Sequence, residues 1–192
     1  MQPFPTHTGW IEVICGSMFS GKSEELIRRL RRSEIAKQKI QVFKPKIDNR
    51  YDDNAVVSHT ALRIDGTSVS NAQDILLMVE PDTRVVGIDE IHFFDQHITA
   101  VCNQLADRGH RVICAGLDKD YRGKPFGPMP DLMAVAEYVT KTMAVCVVCG
   151  DPANMSQRLT ANTDVVSIGA TDQYEARCRK CHVVQLEYTF TV

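Results

Sequence analysis

Residues 16–23 read Gly16-Ser17-Met18-Phe19-Ser20-Gly21-Lys22-Ser23, the spacing G-x-x-x-x-G-K-S. An apolar run (Trp10, Ile11, Val13, Ile14, Cys15) precedes them, and the helical pattern Ser23-Glu24-Glu25-Leu26-Ile27-Arg28-Arg29-Leu30 follows. A buried strand, a glycine-rich loop and a helix in that order form a phosphate cradle. The glycines let backbone amides close around phosphate oxygens, and the helix start adds free N–H groups and a positive dipole end. Lys22 can reach the β- and γ-phosphates, and the Ser23 hydroxyl can ligate magnesium. All eight residues, 16–23, are therefore candidate phosphate-binding residues.

That loop fixes the expected fold class. From residue 10 to about 142, strand and helix patterns alternate. Strands are expected at Lys39 to Lys44 (stopped by Pro45), Arg84 to Asp89, Arg111 to Leu117 and Tyr138 to Val145. Helices are expected at Asn71 to Val79, Gln96 to Asp107 with Gly109 as its stop, and Asp131 to Ala136. Alternating β and α segments imply a parallel sheet with helices on both faces, an α/β P-loop (RecA-like) core. Within 46–70, Asp65-Gly66 between apolar runs points to a hairpin.

The second chemical element is Val85-Val86-Gly87-Ile88-Asp89-Glu90. An acid at the end of a buried strand beside the phosphate-loop strand can hold magnesium, so Asp89 joins Ser23 as a magnesium candidate. Glu90 then faces the reacting phosphate and is the candidate general base. Asp89-Glu90-Ile91-His92 also matches the D-E-x-H box of nucleic-acid helicases. Such motors need two lobes, and 192 residues hold one. The net charge of −2 is the wrong balance for a strand-tracking groove. A single-lobe ATPase acting on nucleic acid remains the alternative reading. His92 is either hydrogen-bonded to backbone near the site or a residue that positions Glu90.

Cys146-x-x-Cys149 and Cys178-x-x-Cys181 form two C-x-x-C pairs around residues 150–177. Four such thiols suit a structural tetrahedral zinc in a small ribbon-like lobe. His182 is a possible substitute ligand. Cys15, Cys102 and Cys114 lie in apolar surroundings and read as small core residues. Two units follow: 1–142, the phosphate-loop α/β domain, and 143–192, a zinc-binding lasso or lid domain. The clipped stretch contains Met155, Ser156, Arg158, Val165, Val166, Ile168, Gly169 and Tyr174, a mix able to enclose a small polar ring and keep water out. Phe93, Phe94, Tyr121 and Phe126 offer aromatic faces suited to a nucleobase. No apolar stretch approaches membrane-spanning length, and no signal peptide is visible, so a cytoplasmic location without membrane or nucleic-acid partners is expected.

Together, Gly16 to Ser23, Asp89-Glu90-Ile91-His92-Phe93-Phe94, Gly116-Leu117-Asp118 leading to Lys124-Pro125-Phe126-Gly127, the paired C-x-x-C and Ile168-Gly169 before Tyr174 resemble the type II thymidine kinases. The resemblance spans nearly the whole chain in order. It implies transfer of the ATP γ-phosphate to the thymidine 5′-hydroxyl, with Glu90 as base, Lys22 as phosphate clamp, and Ser23 and Asp89 serving magnesium. It also implies that Met18, Phe93, Leu117, Tyr121, Phe126 and Tyr174 surround thymidine, and that backbone at Val165, Ser167, Ile168 and Gly169 reads the base edge. Asp48 and Arg50 match a family loop near the phosphates. A homotetramer and feedback inhibition by thymidine triphosphate are expected on the same ground. His92 stands where the family more often has Gln, and Ser156 and Ser167 stand where the animal enzyme has other residues.

Overall fold

The computed structural model describes residues 8–46, 55–57, 63–160 and 173–184. In chain order the strands are β1 (Trp10–Gly16), β2 (Ile40–Pro45), β3 (Ala55–Val57), β4 (Arg63–Asp65), β5 (Thr67–Val69), β6 (Val85–Ile88), β7 (Arg111–Leu117), β8 (Tyr138–Thr142), β9 (Ala144–Val145), β10 (Pro152–Ala153), β11 (Met155–Arg158) and β12 (Tyr174–Arg177). The helices are α1 (Lys22–Ile35), α2 (Ala72–Met78), α3 (His97–Asp107) and α4 (Met129–Val135), with a 3₁₀ turn at Ile91–Phe93.

Six strands build one sheet in the order β5-β2-β6-β7-β1-β8. Every neighbouring pair in it is parallel. Central strands β1, β6 and β7 are buried and mostly apolar on both faces because both faces are covered, with the Glu12–Arg111 ion pair between β1 and β7 as the exception. Helix α1 buries Leu26, Ile27, Leu30 and Ser33, spaced one helical face apart, against Ile14, Val42, Val85, Ile113 and Ala115. Its approach to β6 needs Gly87: a Cβ there would lie 2.9 Å from Leu30 Cδ1. Helices α2, α3 and α4 cover the opposite face through Ile75, Ile98, Val101, Cys102, Leu105, Met129 and Leu132. The α/β sheet with helices on both faces is as expected.

Helix α2 begins where Asn71 accepts a hydrogen bond from the Asp74 N–H, an ordinary N-cap. Helix α3 ends at Asp107 and is capped by Arg108, and Gly109 follows with φ 92°, the left-handed stop that glycine takes without strain.

Three expectations change. Strand β6 does not adjoin the phosphate-loop strand, because β7 lies between β1 and β6. Local apolarity marks both as buried strands but says nothing of their lateral order. The run 138–145 is not one strand: β8 ends at Thr142 in the large sheet, and β9 pairs antiparallel with β10 in the cysteine lobe. Asp65-Gly66 is not a hairpin turn either. Strand β4 pairs antiparallel with β3, and the chain passes through Gly66 into β5, which joins β2 in parallel. The pair β3–β4 is still a hairpin-like antiparallel unit, with Ala55 opposite Asp65. Among the described residues no helix is long and apolar enough to cross a membrane.

Candidate active site

The carboxyl ends of β1, β6, β7 and β8 converge on the phosphate loop, the place where open α/β sheets bind ligands. Strand β1 ends at Gly16, whose φ is 151° and whose added Cβ would meet the Thr142 carbonyl oxygen at 2.4 Å. Only a glycine lets the loop leave the sheet so close to β8. The Ser20 and Thr142 hydroxyls pair at 2.8 Å, and Thr142 Oγ1 also donates to the Cys15 carbonyl. Gly21, at φ 81°, starts α1, and the Glu25 N–H returns to its carbonyl. Lys22 Nζ donates to the Ser17 carbonyl across 2.7 Å, laying its ammonium over the loop.

Ser23 Oγ lies 3.1 Å from Asp89 Oδ2 and 3.4 Å from Oδ1. This contact reaches from the start of α1 to the end of β6 across the intervening β7. Asp89 is 7% exposed and also accepts the Glu90 N–H through Oδ1 at 2.9 Å. A buried carboxylate beside a hydroxyl, both at a phosphate loop, is a donor set of hard oxygens suited to magnesium. Glu90 adopts φ 48°, left-handed and rare for a residue with a Cβ, and turns the chain into the 3₁₀ segment. Its side chain is 19% exposed, so it faces the site without being sealed in the core.

His92 is 2% exposed. Its Nδ1 accepts the Leu117 N–H at 3.1 Å and lies 3.6 Å from Glu90 Oε2. A nitrogen that accepts an N–H carries a lone pair, not a proton, so the Glu90 contact is not an ion pair. The histidine is hydrogen-bonded to backbone and stands beside Glu90, so the geometry meets both readings open for it. Its ring packs on Phe93 at 4.1 Å and Phe126 at 4.8 Å between centroids, with Phe93 and Phe126 edge-to-face at 6.0 Å. Phe94 is instead 7% exposed and belongs to the core under α2 and α3.

The loop after β7 is held by Asp120, whose Oδ1 accepts the Arg122 and Lys124 N–H groups. Tyr121 in that loop lies under the Arg158 guanidinium at 3.8 Å, and Arg158 donates to the Tyr174 hydroxyl at 2.6 and 3.0 Å. Tyr121 and Tyr174 are thus brought together through one arginine of β11. Met18, 8% exposed, and half-buried Leu117 complete the described members of the expected nucleoside set. Val165, Ser167, Ile168 and Gly169, like Asp48 and Arg50, lie outside the described residues.

The cysteine lobe consists of the β9–β10 and β11–β12 pairs. The sulfur atoms of Cys146, Cys149, Cys178 and Cys181 lie within 4.8 Å of one another, and Cys149 and Cys178 are 3.6 Å apart. Thiolates 2.3 Å from a tetrahedral zinc stand about 3.8 Å apart, so the set fits that ion. The Cys178 carbonyl accepts the Cys181 and His182 N–H groups, and the Cys146 carbonyl accepts the N–H of Gly150, which has φ 79°. Both C-x-x-C turns therefore fold back on their own backbone. His182 Nε2 pairs with the Tyr121 carbonyl at 2.9 Å, so this histidine ties the lobe to the loop after β7.

Some residues at this end of the sheet carry no signal in the sequence. Thr142 braces the phosphate loop, as above. Asp118, 3% exposed, forms an ion pair with Lys141 across the ends of β7 and β8. Thr142 belongs to no spaced motif, Asp118 closes the Gly116-Leu117-Asp118 stretch without a role assigned from it, and only the strand order brings Asp118 and Lys141 together.

Comparison with known proteins identifies the family. The family model described as thymidine kinase matches residues 9–182. A curated thymidine kinase from Rhodothermus sp. (strain ITI 518) is 60% identical over 173 residues, which covers 90% of this chain and 81% of the relative.

Proposed function

The chain belongs to the thymidine kinase family, and from that premise we propose that it transfers the γ-phosphate of ATP to the 5′-hydroxyl of thymidine, giving thymidine 5′-monophosphate. The observation that carries the reading is the Ser23–Asp89 contact at 3.1 Å with Glu90 directly following. It gathers phosphate loop, metal-binding acid and candidate base at one end of the sheet.

In this reading residues Gly16 to Ser23 cradle the ATP phosphates, with Lys22 leaving the Ser17 carbonyl for phosphate oxygens. Ser23 and Asp89 hold magnesium, which when bound offsets phosphate charge. Glu90 accepts the proton of the 5′-hydroxyl as its oxygen attacks the γ-phosphorus, and ADP departs. Met18, Phe93, Leu117, Tyr121, Phe126 and Tyr174 enclose the nucleoside, and Val165, Ser167, Ile168 and Gly169 read its base edge. The cysteines hold a structural zinc. Residues 1–142 form the ATP-binding domain and 143–192 the lasso that excludes water, without which a kinase becomes an ATPase. The same family reading makes the protein a cytoplasmic homotetramer with thymidine triphosphate as feedback inhibitor.

The test is Glu90→Gln, assayed for both ATP binding and transfer. The variant is expected to bind ATP as the parent does while its turnover with thymidine falls by 10²–10⁴-fold, the usual worth of a general base. Transfer at the parent rate would remove Glu90 from the base role.

A further inference from the structure

Residues 17–19 of the phosphate loop are held from the cysteine lobe by three separate contacts. Ser17 Oγ donates to the Ala153 carbonyl at 3.2 Å. The Met18 N–H, in a loop whose amides would otherwise face phosphate, donates to Ser156 Oγ at 3.0 Å. Phe19 packs against the lobe's small core of Ala144, Cys146, Ala153, Ala176 and Cys178. Two of those five residues are members of the four-cysteine set.

Phe19 is the instructive member. Its φ is 63°, in the left-handed region. A residue with a Cβ keeps that conformation only where its surroundings over-determine it. The surroundings here are the lobe core, a cluster of five small or sulfur-bearing residues that includes two of the four clustered thiols. The burial of the Phe19 ring and the shape of the phosphate loop are therefore one arrangement.

We propose that the metal-loaded cysteine lobe and the phosphate loop are thermodynamically coupled through Phe19, which acts as a positioning residue. This rests on the reading of residues 16–23 as the ATP phosphate site. A lobe without metal loses the core that seats Phe19, the loop loses its fixed shape, and nucleotide affinity falls. Coupling between two binding sites is reciprocal, so bound nucleotide must raise metal affinity by the same factor.

The experiment is a zinc partition measurement on the zinc-loaded full chain. Zinc is distributed between protein and a chromophoric chelator, with and without a saturating non-hydrolysable ATP analogue and magnesium. Binding of the analogue is measured in parallel by calorimetry. The parent protein is expected to hold zinc roughly fivefold or more tightly with the analogue bound, the lower end of ordinary coupling factors. Phe19→Ala is expected to bind the analogue more weakly and to show a clearly smaller change in zinc affinity than the parent when it is saturated. Phe19→Leu, which keeps an apolar group in the lobe core, is expected to recover part of the shift. Ser156→Ala, which removes the acceptor for Met18, gives a second reduction should Phe19→Ala not fold. Equal shifts in parent and variants would overturn the assignment to Phe19. Analogue binding by the parent with no shift would overturn the coupling itself. Absence of analogue binding by the zinc-loaded parent would instead remove the phosphate-loop reading, and this inference with it.

Discussion

The backbone N–H of Leu117, at the end of β7, donates to Nδ1 of the buried His92 across 3.1 Å. That bond joins the turn carrying Glu90 to the start of the loop carrying Tyr121 and Phe126. It also fixes the tautomer, because an Nδ1 that accepts a hydrogen bond leaves the ring proton on Nε2. Nitrogen-15 chemical shifts of the imidazole are expected to show an unprotonated Nδ1 at neutral pH. His92→Leu leaves the part-buried Leu117 amide without its acceptor, a cost of about 1 kcal/mol, whereas His92→Gln can offer its side-chain oxygen. Urea unfolding should therefore rank parent and Gln variant close together and the Leu variant well below. A Leu variant as stable as the parent would show that the bond matters little.

Gly116 tests the same corner from the other side. A Cβ there would lie 3.0 Å from Ile91 Cγ2, 3.0 Å from Met129 Sδ and 3.2 Å from His92 Nδ1. The three side chains come from the 3₁₀ turn and α4, so the neighbours cannot all yield freely. Gly116→Ala is expected to destabilise the protein by about 1–3 kcal/mol, as overpacking of a filled core does. It should also lower kcat, because the turn that moves carries Glu90. Thermal unfolding and steady-state kinetics on the same preparation check both, and an unchanged kcat would separate Gly116 from the site.

Acid should loosen the ion pairs that tie α1 to β1 through Arg29. Glu12 sits on β1 with its side chain 3% exposed, and receives hydrogen bonds from Arg111 at 2.6 Å, Arg29 at 2.7 Å and Trp10 at 2.8 Å. Burial pushes its carboxyl up, but the Arg111 and Arg29 guanidiniums and the Trp10 N–H outweigh it, and the pKa lies below the usual value of 4.5. Glu25 is drawn down to about 2, first by its hydrogen bond from Arg28 and then, against some burial, by Arg29. A depressed pKa means stabilisation present above the unfolded value and lost as pH falls through the folded one. Stability is therefore expected to hold from pH 7 to about 5 and to decline between roughly 4.5 and 2. Glu12→Gln should flatten that decline in urea titrations at each pH. A decline of unchanged size would move the linkage to other carboxylates.

Much of this architecture is legible in the sequence, for reasons that differ by element. Strand β1, the phosphate loop and α1 declare themselves because apolar period, glycine spacing and helix pattern coincide within 26 residues, 10–35. The four cysteines declare a candidate metal site because thiol spacing is a local property. Lateral order is not local, so the placement of β7 between β1 and β6 could not be read from apolar runs that look alike. The break at Met143 was equally hidden: the apolar pattern of 138–145 continues while the chain leaves one sheet for another. The seating of Phe19 in the cysteine lobe, and the Met18–Ser156 bond across 138 residues, were invisible for the same reason. Sequence spacing predicts which residues share a face, not which distant faces meet.

Metal removal should separate the lobe from the sheet. The lobe core holds five small or sulfur-bearing buried residues, with Phe19 and Cys181 packed beside them. A structural zinc contributes on the order of 10 kcal/mol, more than such a core supplies. Chelation is expected to expose residues 144–158 and 174–184 to protease while the large sheet keeps its circular dichroism. Loss of both signals together would show that the sheet depends on the lobe for its fold.

The account stands most directly on a product measurement. Purified zinc-loaded protein is incubated with ATP and magnesium against single nucleosides, with single-stranded DNA as a separate reaction, and the products are identified by mass. ADP formation with thymidine, matched by thymidine 5′-monophosphate and lost in Glu90→Gln, is the predicted result. ADP formation with DNA and with no nucleoside would contradict the kinase reading and leave a nucleic-acid-dependent ATPase in its place.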